Sequence, residues 1–405
     1  MSEYLPLGEC CNHILDFRGR TPLKLGMDWG GGNIPALSAN NVKDGYIDFQ
    51  KECNVGSDDL YRAWMTRGDC RKGDILFTME APMGNVAQVP DNGKYILSQR
   101  VILISPKSKV VCGNYLFHFL RSDEFRKQCD YLATGTTAKG IKQANLVGIE
   151  IPIPPLPEQK KIAEILSGID NGIAALKQSK RIRMAAHEQA MAEFINKSMG
   201  TTQDLEEMGY EVLDGDRGDA YPKEKDFNSN GYCLFLSAKN VTKSGFNFGS
   251  CQYISREKDC EMRKGRLERG DIVITTRGTL GNIAYFDDSI PIRTMRINSG
   301  MAIIRARASK NSGKEEFLLS CLLSDFVQNQ IRKASFGTAQ NQLTLGIIKR
   351  LRFPVLSIAN EILFTKQCNA LSSYGKKLQE GIGKREHLKQ TIASDLLSGR
   401  MRVSI

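Results

Sequence analysis

What the chain of 405 residues lacks narrows its class before anything else. It has no run of eighteen apolar residues, so no membrane-spanning helix is expected. The opening MSEYLPLGECCNH has no basic segment followed by an apolar one, so no secretory signal is expected. There is no CxxC, and the eleven cysteines are scattered, with Cys10-Cys11 the only close pair. That pattern reads as reduced thiols packed as small hydrophobes in a cytoplasmic protein, without disulfides or a zinc site. Histidine is scarce. His13, His118, His187 and His387 sit at no metal-ligand spacing, and each reads as structural. Neither a GxxxxGK[ST] phosphate loop nor a GxGxxG turn occurs, so ATP and dinucleotide chemistry are not signalled. No catalytic residue is assigned.

What is present is an ordinary globular composition, 41% apolar and 25% charged, in a chain long enough for two to four units. The formal net charge is +11, which fits a nucleic-acid binder and equally a merely soluble protein.

The central stretch Ile151 to Leu176 changes character abruptly. Pro152, Pro154, Pro155 and Pro157 restrict Ile151 to Leu156 to an extended strap, since proline fixes its own φ and disfavours helix in the residue before it. Pro157 suits a first helical turn. Then Ile162, Ile165, Leu166, Ile169, Ile173 and Leu176 recur at helical spacing, predicting a long amphipathic helix to about Met199 that needs a partner.

The partner comes from an internal repeat of roughly 200 residues. Leu15-Asp16-x-Arg18-Gly19 is echoed by Leu213-Asp214-x-x-Arg217-Gly218, and Leu37-Ser-Ala-Asn-Asn-Val42 by Leu236-Ser-Ala-Lys-Asn-Val241. GDILFTMEAPMGNVA, from Gly73, is echoed by GDIVITTRGTLGNIA, from Gly270. A helix expected over Tyr115–Tyr131 returns over Phe317–Lys333. Seventeen positions separate Gly135 from Pro152, and seventeen separate Gly337 from Pro354. The chain thus reads as two copies of one α+β domain, each followed by a long helix: 1–155, then 156–200, 201–357 and 358–405. On the second helix Phe364, Leu371, Leu378, Arg385 and Ile392 fall at strict sevens, with Leu388 and Leu396 at the other seam position. The strap is degraded in this copy, where Pro154, Pro155, Pro157 and Glu158-Gln159 find no counterparts.

The strap running into Glu158-Gln159 and Ile162, the two-copy arrangement and the terminal Leu396-Leu397-Ser-Gly399-Arg400 resemble the specificity subunit of type I restriction–modification systems across essentially the whole chain. The resemblance implies two target recognition domains, each reading half of a bipartite site on double-stranded DNA. It also implies an antiparallel coiled coil that separates them and docks two methyltransferase (modification) subunits. No cofactor is implied for this chain itself. The modification subunits would use S-adenosylmethionine, and restriction motor-nuclease subunits, where they join, ATP with Mg²⁺. The absence of Asn-Pro-Pro and Asp-Pro-Pro, tripeptides resembling amino-methyltransferase centres, agrees. A free-standing DNA-binding protein such as a repressor, and a self-sufficient nuclease or methyltransferase, are the competing readings.

Sequence readout needs polar side chains presented to base edges. The candidates lie where the repeat keeps its frame but changes its side chains. In the first copy these are Arg18, Arg20, Asn40, Asn41, Thr78, Glu80, Gln99, Arg100, Thr136, Thr137, Lys139 and Lys142. In the second they are Arg217, Lys239, Asn240, Thr276, Arg277, Thr279, Arg296, Asn298, Thr338, Gln340, Asn341 and Gln342. Each could instead be an ordinary turn residue. The expected coil and partner interface is Glu158, Gln159, Ile162, Ile169, Leu176, Phe364, Leu371, Leu378, Leu388 and Leu396. The basic run Lys177, Lys180, Arg181 and Arg183 reads as a solvated face or a surface toward the DNA spacer.

Overall fold

The computed structural model describes residues 3–135, 139–198, 200–307, 314–335 and 342–403. The chain divides into two compact units, residues 1–178 with 379–405, and residues 179–378.

In the first unit a four-stranded antiparallel sheet runs in the order Cys11–Asp16, Val101–Pro106, Ile75–Thr78, Val86–Gln88. Alternate residues of a strand point to opposite faces. Ile75, Phe77, Ile102 and Ile104 therefore pack against helices Gly113–Leu120 and Asp123–Leu132. Leu76, Val101 and Leu103 pack the other way, onto Leu37, Trp64 and Ile96. Covering on both faces explains why these strands read as unbroken apolar runs. Leu37 and Ile96 belong to a smaller sheet in which Ile34–Leu37 pairs antiparallel with Val55–Gly56 and parallel with Ile96–Leu97.

The second unit repeats this plan. Its sheet order is Tyr210–Asp214, Met301–Ala306, Ile272–Thr275, Ile283–Tyr285, and Cys233–Leu236 pairs antiparallel with Tyr253–Ile254 and parallel with Met295–Ile297.

The single helices expected over 115–131 and 317–333 are each two. Gly113–Leu120 stops before Ser122, which has extended backbone and caps Asp123–Leu132 with its hydroxyl oxygen, accepting from the Phe125 amide at 3.2 Å. Glu315–Leu323 and Asp325–Ser335 also break at an extended serine, Ser324, whose hydroxyl donates back to the Cys321 carbonyl at 2.6 Å. A serine followed by aspartate offers the backbone an N-cap that competes with continuing the helix.

Half of the strap is an edge strand. Glu150–Ile153 pairs antiparallel with Glu3–Pro6, placing Pro152 opposite Tyr4, and Phe353–Pro354 pairs with Thr202–Gln203 in the second unit. The long helices follow as Leu156–Ser198 and Ile358–Leu397. They run antiparallel to each other within each unit. In the first, Asp170 meets Lys389 and Lys177 meets Glu386, both at 2.6 Å. In the second, Arg183 meets the Tyr374 hydroxyl at 2.8 Å, and Phe194 stacks on Phe364.

The seam departs from strict sevens. Buried and half-buried positions on the second helix step through 364, 368, 371, 375, 378, 382, 386, 389, 393 and 396. Threes and fours alternate except at 378, 382 and 386, where two fours follow one another. The first helix has the same double step at 176, 180 and 184. Such a step is a local eleven-residue repeat, which absorbs the mismatch between 3.5 and 3.6 residues per turn. It moves Arg385 and Leu388 off the seam. Leu388 is 56% exposed, correcting its expected place on the seam between the helices, and Ile382 is buried instead.

Candidate nucleic-acid interface

Three segments far apart in sequence converge at one end of the first sheet. The Met79 amide donates to the Arg100 carbonyl at 2.8 Å, and the Met79 carbonyl accepts from the Ile141 amide at 3.0 Å. Glu80 bridges to Gly140, and Gly140 exchanges amide bonds with Thr134. The Glu80 carboxylate lies 3.3 Å from the Arg100 guanidinium, with both side chains nearly half exposed. A recess of about 440 Å³ opens beside them, lined by Arg18, Glu80, Thr134, Lys142 and Gln143 among others. Arg18 is held on Asp16 at 2.6 Å. Burial pushes the Asp16 carboxyl up, but hydrogen bonds from Arg18 outweigh it and leave it below the usual carboxylate range. Asn40, Gln99, Arg100, Lys139 and Lys142 are exposed.

The second unit makes the same crossing. The Thr276 amide donates to the Gly300 carbonyl at 2.8 Å, and its carbonyl accepts from the Leu343 amide at 3.0 Å. Arg277 and Thr279 stand exposed on the loop, as does Lys239 elsewhere, with Asn298 and Gln342 half-buried. Arg217 reaches Asp214 at 3.2 Å. Thr136, Thr137, Thr338, Gln340 and Asn341 lie outside the described residues.

Several candidates hold the scaffold instead of facing outward, and the sequence reading is corrected there. Asn41 is buried. Its Oδ1 accepts from the Ser38 amide and hydroxyl while its Nδ2 donates to the Lys51 carbonyl. Asn240 does the same with Ser237 and the carbonyls of Asn247 and Ser250. Thr78 is buried and accepts from the Asn85 amide at 2.8 Å. Thr276 is buried as well. Arg20 donates to the Trp64 and Ala63 carbonyls at the end of helix Asp58–Trp64 and covers Phe17. Arg296 is interior. It donates to the Asp259 carboxylate at 2.5 Å and to the carbonyls of Asp259, Met262 and Lys264. Turn residues buried beneath a loop surface look identical in sequence to residues on it. Asn85 and Asn282, which tie their loops to the Val42 and Val241 carbonyls, were visible as repeated letters but had no assigned role.

The expected partner interface is redrawn likewise. Gln159 is fully buried. It accepts from the Cys112 amide at 2.7 Å and donates to the Pro154 and Val110 carbonyls, clamping strap and domain to the helix start. Glu158 is buried and faces Arg402 at 3.4 Å. Neither is a free docking side chain. The second copy does fill this post, contrary to the sequence reading. Glu361, 202 positions after Gln159, is buried and pairs with Lys314 at 3.2 Å. Lys314 itself lies 202 positions after Cys112. Ile162 and Leu396 join the first unit's core, and Phe364 the second's. Ile169, Leu176, Leu371 and Leu378 are half-buried. Two members of the basic run stay exposed but pair across to the other helix, Lys177 with Glu386 and Arg183 with Tyr374.

His118 is buried and shares a 2.9 Å hydrogen bond with Ser167, and burial pushes its pKa down to about 4. All eleven cysteines are free thiols. Among the described residues no cluster of metal-ligating side chains occurs, and no helix is long and apolar enough to cross a membrane.

Residues 2–183 and 210–379 each match the type I restriction modification DNA specificity domain. The type I restriction enzyme MjaVIII specificity subunit of Methanocaldococcus jannaschii is 23% identical, over 99% of this chain and 93% of that one. The Escherichia coli EcoBI specificity subunit is 21% identical, over 76% and 69%. A chain from a structural study of complex assembly and conformational transition in a type I restriction–modification system superposes with a TM-score of 0.60. It is 17% identical, with 98% of this chain and 97% of that one covered. The S subunit from M. genitalium gives 0.52 at 16% identity, with 98% and 96% covered. The chain therefore belongs to the type I restriction–modification DNA specificity family, whose subunits recognise and do not catalyse.

Proposed function

We propose that this chain is the DNA-recognition subunit of a cytoplasmic type I restriction–modification complex. The domain within 1–155 reads one half of a bipartite duplex site and the domain within 201–357 reads the other. The helices of 156–200 and 358–405 set the unread spacer and carry two methyltransferase subunits. Those subunits use S-adenosylmethionine to methylate adenine in each half-site. Where two motor-nuclease subunits join, ATP and Mg²⁺ drive cleavage of unmodified DNA.

The observation that carries this reading is the twofold recurrence of one crossing of three segments, held by two matching backbone bonds and carrying different side chains. One frame holding two sets of readers is what an asymmetric split site requires. The helices, 43 and 40 residues long, reach roughly 60 Å, against roughly 35 Å for a turn of B-DNA, so they are long enough to space two half-sites. For partner docking, Ile358 and Ile362 are 73% and 64% exposed one turn apart. Their equivalents at the start of the first helix are Leu156 and Lys160, so the two docking surfaces differ.

The test is co-expression with the cognate methyltransferase subunit, followed by gel filtration and single-molecule methylation sequencing. A stable complex that methylates a two-part motif with a fixed gap is the expected result. Tight, selective DNA binding by the chain alone, with no methyltransferase retained, would favour a free-standing DNA-binding protein.

A further inference from the structure

Resting on that reading, we infer that Glu80 and Arg277 are paired specificity determinants: Glu80 takes the amino group of a cytosine in one half-site, and Arg277 takes a guanine in the other.

The two residues stand 197 positions apart, each two residues past the threonine that ends its strand. Their loops are closed by the same backbone bonds, although the Ala81-Pro82 peptide is cis in the first and its counterpart in the second is not. Thr78 and Thr275 each bond through the amide to the carbonyl of Asn85 or Asn282 at 3.0 Å, and the Gly84 and Gly281 amides close each loop at 2.9 Å. The next residue has positive φ in both, Ala81 at 43° and Gly278 at 74°. A shared frame therefore presents a carboxylate in one copy and a guanidinium in the other.

Neither side chain serves the fold. Among the described residues Arg277 has no side-chain partner. Glu80 makes one ion pair, with Arg100, almost half exposed, and it also lies in the field of Arg18. Such a pair contributes little and exchanges readily for another partner. Arg100 holds φ at +67°, a conformation that costs a non-glycine residue free energy and is kept where the surroundings or the function demand it. At its counterpart, Gly300, no cation competes with Arg277.

Chemistry then assigns the bases. An ionised carboxylate only accepts hydrogen bonds and is repelled by phosphate. In the major groove the donors available to it are exocyclic amines, and cytosine N4 is its usual partner. The recess beside Glu80 carries Arg18 and Lys142, which suit the flanking backbone. A guanidinium reads guanine O6 and N7 in bidentate fashion.

The experiment uses the full chain with its methyltransferase subunits, S-adenosylmethionine and a randomised DNA library, with methylated motifs read by sequencing. Glu80→Gln should move one position of one half-site from cytosine toward adenine. Glu80→Arg should move the same position toward guanine, and Arg277→Glu should remove a required guanine from the other half only. Each change should exceed about tenfold in relative methylation. Wild-type motifs from both Glu80 variants, with circular dichroism and complex formation intact, overturn the Glu80 assignment. Equal weakening on all sequences by Arg277→Glu marks a phosphate contact and overturns the other. Failure of the wild-type complex to select any split motif defeats the functional reading itself, which distinguishes the two failures.

Discussion

Replacing Arg296 with alanine should unfold much of the second recognition domain. The guanidinium is buried and serves four acceptors, the Asp259 carboxylate at 2.5 Å and the carbonyls of Asp259, Met262 and Lys264 at 2.6 to 3.0 Å. Asp259 is buried too, and its remaining cation would be Arg266, 3.6 Å away and half exposed. Truncation leaves a buried carboxylate and three carbonyls without their main donor. Breaking one side of a buried pair costs about 3–5 kcal/mol. Arg296→Lys should recover little, because one ammonium cannot satisfy that fork of acceptors. The chain supplies its own control. Both tryptophans, Trp29 and Trp64, lie in the first unit, so their fluorescence follows that unit while far-UV circular dichroism follows both. Urea unfolding should show a large loss by circular dichroism and a smaller shift by fluorescence. A loss below about 1 kcal/mol would refute the reasoning, since the pair would then have been exchanging freely with water.

Two further outcomes follow from burial. Ile382→Asp should destabilise by at least about 2 kcal/mol in thermal or urea unfolding, and Leu388→Asp by no more than about 0.5 kcal/mol; equal effects would restore the strict seven-residue register. For His118, the folded pKa of about 4 lies below the unfolded value of about 6.5. The unfolded chain therefore binds the extra proton first, and stability falls as pH drops from about 6.5 toward 4. Between pH 7.5 and 5 the wild type should lose about 2 kcal/mol more than His118→Gln, measured by urea unfolding at each pH.

Much of the architecture was legible because duplication writes the same signals twice. The Gly-Asp-Ile strands, the start of the second helix at Ile358 and the antiparallel helix pair could all be read from the repeat. The reading failed where local pattern carries no depth. Asn41 and Asn240 lock turns and Arg296 fills a core, yet as letters they match surface readers. In the first copy the position equivalent to Arg296, also paired in parallel with the small sheet's central strand, is Ile96, so the same interior site is apolar in one domain and ionic in the other. The seam failed at Leu388 for a different reason. A heptad count assumes a constant period, and the double step at 378, 382 and 386 shifts every later position by one. Gln159 and Glu361 share a post through different chemistry, so letter matching could not align them.

That last difference sets where one domain could be grafted onto the other's helix. Gln159 needs a backbone amide at position 112, whereas Glu361 needs the ammonium of Lys314. A crossover placed at the proline strap would seat Glu361 against Cys112 with no cation to meet it, or Gln159 against a stranded Lys314. A crossover beyond the helix's first turn would carry each clamp intact with its domain. The smallest piece of this chain that can be exchanged with its clamp intact is therefore a domain together with the opening turn of the helix that follows it.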